Sequence, residues 1–164
     1  MCNCNTKGTG NMDKLQRTYM LKRSFGAIYR QGSIIDNSRV KHWHISGAQA
    51  RYMEIIGDHP GISQEAIARM ECVDKGAVAR AIKKLEVEHY VVRKRNKQDY
   101  RAWCLFLTER GEEVYLGREK NCKDMEALMF KGFTDEEIDT LVELMDRVTK
   151  NIEDMRCMKE GSEK

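Results

Sequence analysis

The sequence predicts a mainly α fold with a small β-hairpin, built as a compact module in mid-chain with long helices on either side. Three observations carry this expectation. Apolar residues recur at helical spacing through most of the 164 residues, with one proline, Pro60, and little strand-like alternation. Ser46, Ser63, Asp74, Thr108 and Thr134 each stand where a helix N-cap belongs. The stretch from Val73 to Thr108 then departs from the helical pattern. A short cationic helix, Asp74 to about His89, runs into two strand-like runs, Tyr90–Arg95 and Trp103–Thr108, with a basic tip between them.

Taken in order, residues 1–11 are polar and Gly-bearing, the composition of a disordered tail, and 158–164 read the same way. A long helix is expected from about Met12 to Asn37, with Leu21, Phe25, Ile28, Gly32 and Ile35 along one stripe. Ser46-Gly-Ala-Gln49 is a capping box: the serine oxygen takes an orphan N–H and the glutamine reaches back. The helix it opens runs to about Gly57 and buries Tyr52, Met53, Ile55 and Ile56, and His59-Pro60-Gly61 turns the chain. Ser63 caps a short helix, Gln64–Glu71, with Ile62 placed to staple against Ile67. Asp74 caps the next, with Val73 and Val78 in the same relation. In that helix Val78, Ile82 and Leu85 form the apolar stripe. Lys75, Gly76, Ala79, Arg80 and Lys83 lie off it.

Two short helices joined by a tight turn make a helix-turn-helix, whose second helix is shaped for the major groove of duplex DNA. In the hairpin that follows, Trp103, Leu105 and Leu107 share one face, with Cys104 and Phe106 on the other. Thr108 caps a helix to about Phe130. Thr134-Asp-Glu-Glu137 is a second capping box and opens the last helix. There Ile138, Leu141, Met145, Val148, Ile152 and Met155 are spaced alternately by three and four, the seam of a coiled coil, which predicts a homodimer. The expected organisation is a dimerisation helix at 12–45, a winged helix-turn-helix domain at 46–108 and further dimerisation helices at 109–157.

Charge sharpens the expectation. The chain as a whole is +3, but Asp74 to Arg101 holds nine Lys/Arg against four Asp/Glu, a local +5, while Thr134 to the end holds five against ten, or −5. A basic patch that coincides with a helix-wing pattern implies a polyanionic partner, double-stranded DNA. Arg80 is placed for a bidentate guanine contact, because its fork matches O6 and N7. No apolar run approaches a membrane span and the first residues lack the apolar core of a signal peptide, so a cytoplasmic protein with no membrane partner is expected. The six Cys show no zinc-finger spacing and are expected as free thiols. No cofactor or metal is implied. An enzyme is disfavoured: there is no Ser/His/Asp set, Gly-rich phosphate loop or carboxylate cluster with a base.

Most of the chain, Ser46 to Ile152, resembles the MarR family of bacterial transcription regulators. The resemblance is carried by Ile62-Ser-Gln-Glu-Ala-Ile-Ala, by Asp74-Lys-Gly-Ala-Val-Ala-Arg-Ala-Ile-Lys-Lys-Leu-Glu86, by Asp99-Tyr-Arg101, by Leu107-Thr-Glu-Arg-Gly111 and by Gly132-Phe-Thr-Asp-Glu-Glu137. It implies a homodimer on a pseudo-palindromic operator, built by the N-terminal and the two C-terminal helices. Lys75, Gly76, Ala77, Ala79, Arg80 and Lys83 would face the major groove. The cations Arg93, Arg95, Lys97 and Arg101, with Asn96, would carry the wing, Asp99 holding an arginine of the loop. The family's usual Ser/Thr positions early in the recognition helix are here Gly76, Ala77 and Ala79. Its usual Gly after that helix is His89, which must then adopt the left-handed conformation.

The family is also usually a repressor whose grip answers to a ligand or an oxidant. In this chain His42, Trp43 and His44, with Arg51, Tyr52 and Arg23, would receive a small aromatic or anionic effector. Alternatively Trp43 plugs the core and the histidines cap helix ends. Two further sensors stay open: Cys72, whose thiol lies beside a helix N-terminus, and a metal held by His42 and His44.

Overall fold

The computed structural model describes residues 12–95 and 103–162; of 119–126 and 156–162 it describes the backbone alone. The elements are α1 (Lys14–Val40), a 3-10 turn (Lys41–Trp43), α2 (Gly47–Asp58), α3 (Gln64–Met70), α4 (Lys75–Val87), β1 (Val91–Arg95), β2 (Trp103–Leu107), α5 (Glu109–Met129) and α6 (Asp135–Ser162). They fall into two compact units that divide within α5, one ending at Leu116 and the other beginning at Gly117.

Local chemistry sets the element boundaries. Ser46 and Gln49 close the expected capping box: the Gln49 N–H donates to Ser46 Oγ, and the Ser46 N–H donates to Gln49 Oε1. Ser63 accepts from the Ala66 N–H at 3.2 Å and Asp74 from the Ala77 N–H at 3.0 Å. Thr108 Oγ1 accepts from the Gly111 N–H at 3.1 Å, and Thr134 and Glu137 form the second box. α1 starts with a box of its own, Asp13 with Gln16. It also runs past Asn37 to Val40, because nothing between them breaks a helix. α6 likewise continues to Ser162, over most of the stretch expected as a tail: Arg156, Met158, Lys159 and Glu160 are all good helix formers.

Two helix ends share one device. After α4, His89 adopts φ 60°, the left-handed conformation expected of it. Its N–H donates to the Glu86 carbonyl, and that of Tyr90 to the Leu85 carbonyl. After α3, Cys72 takes φ 53°, and Cys72 and Val73 donate to Arg69 and Ala68 in the same pattern. These paired bonds satisfy carbonyls that a helix end otherwise leaves orphaned.

The core of the first unit lies where α2, α3, α4 and the hairpin meet. Met53, Ile56, Ile67, Val78, Ile82, Leu85, Tyr90, Leu105 and Val114 are all essentially inaccessible. The stripe expected on α4, Val78, Ile82 and Leu85, is thus its buried edge. β1 and β2 pair antiparallel with Val91 opposite Leu107, Arg93 opposite Leu105 and Arg95 opposite Trp103. Leu105 also bonds on its free edge, donating to the Ile62 carbonyl and accepting from the Gly61 N–H, so the turn before α3 is stitched to the sheet. α1 contributes only Val40 to the buried set; Leu21, Ile28 and Ile35 of its stripe stay exposed.

Candidate nucleic-acid interface

Burial of one edge of α4 forces the opposite edge outward, and that edge is cationic. Lys75, Arg80, Lys83 and Lys84 are exposed, with Gly76, Ala77 and Ala79 half-buried among them. All six expected groove-facing positions therefore lie off the buried stripe. Lys84 joins them as an exposed cation of the same helix. The first turn is dressed for close approach: Asp74 holds the Ala77 N–H, and Gly76 adds no side chain.

The hairpin positions its own cations on rings. The Arg95 guanidinium lies 4.4 Å from the centroid of Trp103, its register partner, and Lys94 Nζ lies 4.9 Å from that of Phe106. A cation laid on an aromatic face is partly ordered before any ligand arrives, which lowers the entropy cost of later contact. Arg93 is placed differently: its Nε donates to Glu86 Oε2 at 2.8 Å, tying β1 to the back of α4. Asn96, Lys97, Asp99 and Arg101, expected in the wing, lie outside the described residues.

A second network fixes the far end of α4. Arg110, from the first turn of α5, donates to the Glu88 carbonyl at 2.7 Å and to the Tyr90 hydroxyl at 3.0 Å, with its guanidinium 4.3 Å from the Tyr90 ring centroid. The Tyr90 hydroxyl in turn donates to the Trp43 carbonyl at 2.9 Å. Thr108 Oγ1 donates to the His89 carbonyl at 2.6 Å. The end of α4 is thereby tied both to the α1–α2 connection and to α5. Sequence reasoning missed this network; the only signal for it was an arginine two residues after a helix cap.

A family model described as the MarR family matches residues 45–103, which contain α2 to β1 and the first residue of β2. The Uncharacterized HTH-type transcriptional regulator YybA of Bacillus subtilis is 36% identical over 143 residues, 87% of this chain and 95% of that protein.

The chain belongs to the MarR family.

Among solved structures, a MarR family transcriptional regulator from Listeria monocytogenes, complexed with a 26mer DNA, is 30% identical with a TM-score of 0.76, over 88% of this chain and 91% of that one. A MarR protein from Peptoclostridium difficile is 28% identical with a TM-score of 0.77, over 90% and 96%. As a MarR family member the chain is a DNA-binding transcriptional regulator and not an enzyme.

The residues expected to hold an effector are scattered in role. Trp43 is half-buried against the core, its ring tilted by 43° to that of His42 with centroids 3.8 Å apart. His44 takes φ 59° after the 3-10 turn, the helix-ending role given as its alternative, and lines an open cleft with Lys41, Lys84, Ser38 and Ser46. Arg51 is held by Glu71 at 3.2 Å and Glu54 at 3.6 Å. Tyr52 is buried, and that burial, with Glu71 and Tyr29 nearby, pushes its phenol above the ordinary value. Arg23 is exposed on α1. A different cavity, of about 270 Å³, is lined by Ile56, Gly57, Pro60, Phe106, Leu107 and Tyr115, among others, and contains none of the six. Tyr115 closes one side, its hydroxyl donating to Asp58 at 2.7 Å.

Cys72 is exposed, with Sγ 3.6 Å from the Arg69 carbonyl, and its left-handed backbone closes α3. Among the described residues no group of three or more His, Cys, Asp or Glu is placed to hold a metal ion. No helix among them is long and apolar enough to cross a membrane.

Proposed function

We propose that this chain is a cytoplasmic, homodimeric, sequence-specific repressor whose hold on its operator is released by a small molecule. The observation that carries the reading is the cationic edge of α4, exposed along its length, beside a hairpin whose arginine and lysine rest on aromatic rings. Lys75, Lys83 and Arg95 neutralise phosphates and release counterions, and Arg80 reads a guanine edge. A two-fold dimer places its half-sites about one helical turn apart, roughly 10 base pairs. Dimerisation is supported by the apolar residues that α1 and α6 leave uncovered within one chain, Leu15, Tyr19, Ile28, Ile152 and Met155 among them.

For the effector, the apolar cavity under Tyr115 suits an aromatic molecule better than an anion, because Glu112 also lines it. Its occupation acts on α2, the hairpin and the first turns of α5, the same turns from which Arg110 and Thr108 hold the end of α4.

A gel shift across a salt series tests the core of the reading. Affinity for genomic fragments is expected to fall steeply with salt. Lys83→Ala weakens operator and random duplex alike and lowers the slope of log affinity against log salt by about 0.9, one phosphate contact. No duplex affinity even at low salt would overturn it.

A further inference from the structure

The first turn of α4 departs from the hydroxyl-rich pattern of the MarR resemblance, and the structure shows what occupies the vacated space. A Cβ built on Gly76 would stand 3.0 Å from Asp74 Oδ1 and 3.3 Å from Arg80 Nη1. The Arg80 guanidinium therefore lies back over the first turn, along the strip that a side chain at 76 would cover, and shares that strip with the capping carboxylate. This is the direction in which helical side chains lean, toward the N-terminus, and position 80 is one turn beyond 76. The N-terminal turn of a recognition helix is also the part that meets base edges. Glycine there is not chosen for the helix, since it weakens a helix relative to alanine.

We propose that Gly76 is a specificity-determining residue: by leaving the strip open it sets where Arg80 presents its fork, so base preference at the Arg80 position depends on residue 76. This rests on the reading of Arg80 as a base contact. A methyl group at 76 displaces the guanidinium by a few tenths of an ångström or more, and a serine adds a hydroxyl that competes for it. Bidentate contacts are set by geometry, so such a shift weakens discrimination without removing charge.

The test is selection of sites from a random duplex library by the full-length wild type, G76A, G76S and R80A, with thermal unfolding of each. Expected is a guanine preference at one position per half-site in the wild type, lost in R80A and reduced roughly fivefold or more at that same position in G76A and G76S. Preferences elsewhere stay unchanged. G76A is expected to melt at the wild-type temperature or above, so that lost discrimination is not lost folding. A G76A profile identical to the wild type, or altered only at positions that R80A leaves intact, overturns the inference while leaving DNA binding standing. A wild type that selects nothing overturns the underlying reading as well.

Discussion

At the scale of single residues, two backbone positions carry most of the geometry around α4. His89 is left-handed at φ 60° without being glycine. That conformation brings Cβ too close to the following carbonyl oxygen, a strain glycine avoids. His89→Gly should therefore raise stability by about 0.5–1 kcal/mol, the relief being partly offset by glycine's greater freedom in the unfolded chain. Urea unfolding checks this, and a lower midpoint would show that the imidazole makes a contact worth more than the strain. Gly111 is the opposite case. A Cβ there would overlap the Tyr90 carbonyl oxygen, because the first turn of α5 is pressed onto the end of α4. Gly111→Ala should destabilise by about 1–3 kcal/mol through overpacking. Because that contact is backbone against backbone, the loss should appear in thermal unfolding whether or not DNA is present. The two sites were unequally legible: the MarR resemblance puts its usual Gly at position 89, so the left-handed conformation of His89 was expected. The crowding at Gly111 comes from a residue 21 positions away.

At the scale of elements, the same division separates what could be read from what could not. Five N-caps, the buried edge of α4 and the hairpin all follow from spacings of two, three and four residues, and the structure bears each out. The ties between elements join residues far apart in sequence: Tyr90 with Trp43, Arg110 with Glu88, Leu105 with Ile62, Tyr115 with Asp58. No periodicity encodes those pairs, and the cavity beside Tyr115, whose hydroxyl is held by Asp58, has no signature in the sequence for the same reason. The tie at Tyr90 lends itself to a measured prediction. Tyr90→Phe keeps the ring under Arg110 but removes the donor to the Trp43 carbonyl and the acceptor for Arg110. A cost of about 0.5–1.5 kcal/mol is expected, since part-buried hydrogen bonds are lost while Trp43 and Arg110 keep access to water. Because this loosens the end of α4 without removing a cation, operator affinity should drop while its salt slope stays constant. A change in slope would mean that phosphate contacts had been lost instead.

At the scale of the whole molecule, the deciding quantity is the exposed apolar surface of the long helices. Along α6 the seam residues Leu141, Met145, Ile152 and Met155 are between 38% and 62% exposed, with Ile138 and Val148 half-buried on the same stripe. α1 adds Leu15, Tyr19, Ile28 and Tyr29, each more than 60% exposed. Burial of such a side chain from full exposure is worth about 1.5–3 kcal/mol and the seam residues start part-covered, so roughly a dozen across two subunits are needed against an association cost of about 4–15 kcal/mol. On the proposed reading a two-fold partner, the commonest arrangement, covers the α6 seam. Charges placed in the seam should reverse the balance. Met145→Glu with Ile152→Glu puts two carboxylates of each subunit into the proposed interface, where an unpaired charge costs several kcal/mol once dry. Sedimentation equilibrium should then give the 19.1 kDa of a single chain where the wild type gives twice that mass. Both positions lie outside the winged unit, so the circular dichroism of its helices and its affinity for a single half-site duplex should survive. Affinity for a full operator should fall toward the half-site value, because the second recognition helix is no longer delivered at high effective concentration. A double variant that still sediments as a dimer would move the interface off the α6 seam and onto α1.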